Sequence, residues 1–216
     1  MITNQRILAE ILARKEKAQQ IVAQLKIHDG LKPAVDALNK INIEELTELM
    51  AGELRTNFEY DEVVNCQGFE WYYDGRYFPD ALGYYGNEAT EANSKTPSVV
   101  GSNTHKARAD FEVVDFGYFL CGDCGYIDVN LVLKPFLDIT CEAGEHYLSE
   151  LRSGDYDEQL DEVENLYVLT LFEVVHHAMD KLVKTKRVDD NNIKFPFYIS
   201  LNNHDWSPFL VYVVKE

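Results

Sequence analysis

A chain of 216 residues, 46% hydrophobic and 12% aromatic, is long enough to bury a sizeable core, and without an apolar run of about eighteen residues it predicts no membrane-spanning helix. Its 37 acidic and 20 basic residues give a formal charge of −17, which argues against direct contact with nucleic acid or an anionic membrane. The charge is uneven: residues 1–56 balance at eight of each sign, whereas residues 111–180 hold sixteen acids against two bases, so −14 of the −17 falls there.

The opening segment MITNQRILAEILARKEKAQQ carries charge through its apolar positions and lacks the h-region of a secretory signal. With four cysteines and no export signal, a cytoplasmic protein with reduced thiols is expected. Ile7, Leu8, Ile11, Leu12, Ala18, Ile21, Val22 and Leu25 recur at helical steps, with Arg14 to Lys17 mostly outside the stripe and Asp29-Gly30 as the stop. A short helix from Lys32 or Pro33 to Asn39 follows, then one from about Ile43 to Arg55 with Leu46, Leu49, Met50 and Leu54 inward.

Beyond Phe58 the texture becomes aromatic and strand-like. Asp74-Gly75 predicts a two-residue hairpin turn that sets Tyr73 opposite Arg76, with Phe69, Trp71, Tyr73 and Phe78 on one face. Residues 83–109, rich in Asn, Ser, Thr and Gly, read as a long exposed loop. A second hairpin is expected from EVVDFGYFL and GYIDVNLVL around Gly122-Asp123. Its inner face would carry Val114, Ile127 and Val129, and its outer face Asp115, Phe119, Cys121, Cys124, Tyr126 and Asp128. LVLKPFLDIT reads as a further buried strand, and Glu142 to Arg152 as a short helix. A long helix then starts at Asp155, with Glu158 completing a capping box, and runs to about Arg187; FPFYISL and PFLVYVV close the chain as an antiparallel pair. The expectation is a single α+β domain over residues 1–216: a helical layer (1–56), hairpins with a long loop (57–140), helices (141–187) and a closing hairpin (195–214).

Few motifs carry chemistry. Cys121-Gly-Asp-Cys124-Gly125 has the shape of half a zinc knuckle, and Cys141 with His146 could complete four ligands; without a second knuckle, two reduced cysteines flanking a turn is the preferred reading, and no cofactor is expected. Glu173-x-x-His176 is a single copy of a step that di-iron bundles use twice, so a core histidine hydrogen-bonded beside its neighbours is expected instead. Cys121 and Cys124 lie in the most acidic third of the chain, which disfavours a thiolate, and no nucleophile elbow, phosphate loop or zinc-protease motif is present. Asp115 and Asp128 could pair as acid and base, but on a solvated sheet face such carboxylates more often serve solubility.

What remains is acid. Asp155, Asp157, Glu158, Asp161 and Glu162 head the long helix, and rings alternate with acids on Asp115, Phe119, Tyr126 and Asp128, the composition of a binding rim with aromatic anchors. Together these predict a non-catalytic surface that captures a basic protein. In composition and architecture, though not in any motif, the chain resembles the immunity proteins with which bacteria neutralise nuclease or other toxins. That resemblance implies a basic toxin as partner, with no direct nucleic-acid or membrane contact. The alternatives are a zinc- or carboxylate-dependent enzyme working at the 115–130 face, and a scaffold subunit that packs through the aromatic stretch Trp71 to Phe78.

Overall fold

A computed structural model describes residues 3–71, 80–86, 89–91, 114–115, 125–141, 156–188, 192–203 and 209–216. Helix α1 spans Asn4–Gln24, with the Thr3 side chain accepting the Arg6 amide as an N-cap. Its buried positions are Ile7, Ile11, Arg14, Ala18 and Val22. Those steps of three and four pass through Arg14, so helix geometry buries a residue that charge alone placed outside, while Leu12 stands 41% exposed. The Arg14 guanidinium bonds Glu10 at 2.8 Å and lies over the Phe209 ring, which gives its charge partners inside the fold.

Helix α2 (Lys32–Leu38) begins with Pro33 in its first turn, and α3 (Ile43–Leu54) is capped by Asn42, whose side chain accepts the Glu45 amide. Met50, Ala51 and Leu54 point inward from α3, but Leu49, expected with them, is 49% exposed. Helix α4 (Asn130–Cys141) occupies the stretch read as a strand. Its buried residues Val132, Leu133, Phe136 and Leu137 follow helical spacing, and the Asp128 carboxylate accepts the Asn130 amide at its start. Pro135 within it removes one backbone donor, and the helix continues through it. Helix α5 (Tyr156–Lys184) matches the expected long helix; Asp155, its expected cap, and the expected helix 142–152 lie outside the described residues.

α5 is buried around most of its girth, from Leu160 through Tyr167, Phe172 and Val175 to Leu182, because α1, α3 and α4 pack about it and the sheet closes the remaining side. The Tyr167 hydroxyl donates to the Ala34 carbonyl at 2.7 Å, tying α2 to the same helix.

The sheet runs in the order β5-β2-β1-β6-β7, with β1 at Val64–Trp71, β2 at Asp80–Gly86, β5 at Tyr126–Asp128, β6 at Ile193–Asn203 and β7 at Phe209–Val214. Helices packed against this sheet, which mixes parallel and antiparallel pairs, give an α+β fold. The closing pair β6–β7 is antiparallel, as expected. The sheet's centre is not a hairpin: β1 and β6 run parallel, and α4 and α5 lie in the crossover that such a pair requires.

Two registers differ from expectation. The Asp74-Gly75 turn would set Phe69 opposite Asp80, whereas Phe69 pairs with Gly83, so β1 and β2 meet three residues further along and residues 83–86 are strand rather than loop. Residues 114–131 are not one hairpin. β4 (Val114–Asp115) pairs with β3 (Thr90–Glu91), which falls within the expected loop, in a separate two-stranded ladder, and β5 pairs with β2. The turn residues of both expected hairpins, 74–75 and 122–123, lie outside the described residues.

Candidate binding surface

The corner of the sheet formed by β5, β2 and β1 is fixed from below. Asn57, 3% exposed just past α3, donates its side-chain amide to the Glu53 carbonyl at 2.8 Å and the Tyr126 carbonyl at 3.2 Å. Gly125 precedes Tyr126 with φ +91°, and a Cβ there would lie 1.9 Å from the Asn57 side-chain oxygen. Glycine is therefore required at this position on two counts, backbone conformation and space. The Gly83 amide bonds the Gly125 carbonyl at 2.8 Å and begins the β2–β5 ladder.

Along that ladder the strand alternation sorts the side chains. Ala81 and its partner Ile127 are fully buried, whereas Leu82 and its partner Tyr126 are 59% and 57% exposed. Leu82 also pairs with Glu70 of β1, so Tyr126, Leu82 and Glu70 form one row across three strands. Asp128, half-buried and two residues beyond Tyr126, shares their face. The expected inward Ile127 and Val129 and outward Tyr126 and Asp128 are all observed. Leu82 and Glu70 escaped the sequence reading because the β1–β2 register there was wrong by three residues.

Among the described residues the other candidates are not brought onto this row. Asp115 belongs to the β3–β4 ladder, away from Asp128 in pairing, and Phe119 lies outside the described residues. At the head of α5, Asp157 and Glu158 sit in the first turn and Asp161 is half-exposed, but Glu162 is only 5% exposed. Glu162 is thus no part of an exposed acidic face, since it shares a helical stripe with buried Gln159 and Leu166, three residues before and four after it. Asp155 is outside the described residues.

Of the cysteine set, Cys141 ends α4, while Cys121, Cys124 and His146 lie outside the described residues. Among the described residues no cluster of three or more His, Cys, Asp or Glu could hold a metal. Glu173 is paired with Lys15 at 2.5 Å, and His176, 3% exposed, donates from Nδ1 to the Val211 carbonyl at 2.8 Å, as expected for a core histidine. Burial holds the His176 pKa below its ordinary value, and neighbouring His177 adds to this, against opposing effects of the Val211 bond and Asp180. Cys66 is a buried free thiol whose pKa burial pushes up to about 11, which disfavours its thiolate at neutral pH.

No protein-family model, curated protein or solved structure matches this chain. Among the described residues no helix is long and apolar enough to cross a membrane.

Proposed function

We propose that this chain is a non-catalytic binding protein that captures a strongly basic protein, in the manner of an immunity protein neutralising a toxin. The observation that carries the reading is the charge partition: sixteen acids against two bases in residues 111–180, beside a balanced first quarter. A field of one sign over so much of the chain raises the encounter rate with an oppositely charged partner by roughly ten to a thousandfold and repels anionic competitors. A toxin that grips nucleic acid exposes a basic cleft, and an acidic surface is the simplest occupant of it. A reducing cytoplasm belongs to the same reading and fits the free thiol of Cys66.

The test is co-purification from the native host, followed by identification of the partner and assay of its activity with and without this chain. A basic partner inhibited at equimolar ratio, with affinity falling steeply as salt is raised, is the expected result. Replacing Asp157, Glu158, Asp161 and Glu164 by Lys should weaken that complex. An affinity indifferent to both salt and charge reversal would overturn electrostatic capture.

A further inference from the structure

Among the described residues, the two outer strands of the sheet are treated differently. At β7 the side-chain amide of Asn4 bonds both the amide and the carbonyl of Val213, His176 bonds the Val211 carbonyl, and Leu210 to Val214 are buried. At the β5–β2 corner the fold instead leaves Leu82 and Tyr126 exposed and directly opposite each other. A single exposed leucine is ordinary. Two large apolar side chains in register make a contiguous patch, and half-buried Tyr84, whose ring crosses its partner Gly68, extends it on the same face.

The chemistry around the patch selects its occupant. Glu70 lies at one end of the row and Asp128 beside the other, and the described strands β1, β2 and β5 contain no Lys or Arg. A second copy of this chain would bring another −17 to a chain that already carries −17, and nucleic acid or anionic lipid would be repelled in the same way. The occupant with both complementary properties is a polypeptide whose cations flank an apolar side chain. Glu70 and Asp128 are two strand spacings across and two residues along from each other, about 12 Å on a regular sheet. In an extended segment, Lys-x-Leu-x-Lys sets two ammonium groups about 13 Å apart on the same side as the leucine between them.

We infer that the Tyr126–Leu82–Glu70 row with Asp128 is the docking surface for an extended basic segment of this kind, its apolar residue seated on Leu82 and Tyr126 and its cations on Glu70 and Asp128. The inference rests on the capture reading and specifies where and how capture occurs.

The experiment titrates the full chain, labelled with nitrogen-15, with a peptide carrying two Lys-Ser-Leu-Ser-Lys units and with its Leu→Ser counterpart, following amide shifts and affinity. The leucine peptide should bind about tenfold tighter, the effect of burying one such side chain. Shifts should centre on Glu70, Leu82, Tyr126 and Asp128. The exposed-site variants Leu82→Ser and Tyr126→Ser should fold normally by circular dichroism and bind the two peptides alike. Equal binding of both peptides to the unaltered chain, with shifts confined to the head of α5, would overturn this surface and leave electrostatic capture standing. Binding of neither peptide at low salt would overturn both.

Discussion

Asn4 pairs with Val213 as a neighbouring strand would: its side-chain amide donates to the Val213 carbonyl and its side-chain oxygen accepts the Val213 amide, each at 2.8 Å. One residue at the start of α1 thereby satisfies the outward backbone groups of an edge position that is 1% exposed. Asn65 makes the same two-bond ring with the backbone of Ala89.

Removing that mimicry should be costly at one point. Asn4→Ala leaves a buried amide and carbonyl without these partners and should destabilise the chain by about 1–3 kcal/mol in urea titrations. Asn4→Asp, which keeps the acceptor and loses the donor, should fall between. Hydrogen exchange should quicken at Val213 more than at Ile199 on the inner strand.

The histidine beneath the same edge gives a pH signature. Burial lowers the folded-state pKa of His176, whereas an unfolded histidine titrates near about 6.5. The unfolded chain therefore takes up the proton first. The contribution of the neutral ring is present above about pH 6.5 and is lost as pH falls through the lower folded value. His176→Gln keeps a donor for the Val211 carbonyl but does not titrate. Its urea midpoint should decline less than that of the unaltered chain between about pH 7.5 and 5.5. Parallel declines would show that other groups carry the acid sensitivity.

Lys15 and Glu173 join α1 to α5 with side chains 16% and 12% exposed. Lys15→Met strands a carboxylate and should cost up to about 3 kcal/mol, the low end for a buried pair because some solvent still reaches both groups. The double variant Lys15→Met with Glu173→Leu should recover most of that loss. A purely additive double variant would mean that the pair contributes no coupling.

Gly125 invites a double-mutant cycle. Gly125→Ala meets both a left-handed backbone and the Asn57 side chain, and should cost about 1–3 kcal/mol for the backbone strain, with the clash in addition. In an Asn57→Ala background the clash disappears while the strain stays. Thermal unfolding should therefore show a smaller penalty for Gly125→Ala there, and an equal penalty would assign the whole effect to φ.

Much of the helical layer was legible because a period of three to four residues survives noise: α1, α3 and α5 lie where their apolar steps put them, and α2 where proline opens a first turn. Arg14 and Glu162 are buried because that period, not charge, decides which side chains face inward, and the fold supplies Glu10 and Phe209 to Arg14. The strands were harder for a different reason. Local turn signals at Asp74-Gly75 and Gly122-Asp123 suggested nearest-neighbour pairing, whereas β5 joins β2 and β6 joins β1, choices set by burial between distant segments. LVLKPFLDIT illustrates the remaining ambiguity, since a short apolar run containing proline fits either period until its neighbours are known. Of the candidate surface, Tyr126 and Asp128 were readable from alternation alone, but Leu82 and Glu70 required the observed register.

The parallel pairing of β1 with β6 also bears on synthesis. β1 can find β2 and β5 while the chain is still growing, but its other side has no partner until Ile193–Asn203 has been translated. At typical elongation speeds that interval is on the order of ten seconds. Throughout it that side of Val64–Trp71 is an open ladder, the state in which an unpaired strand is most exposed to wrong pairing.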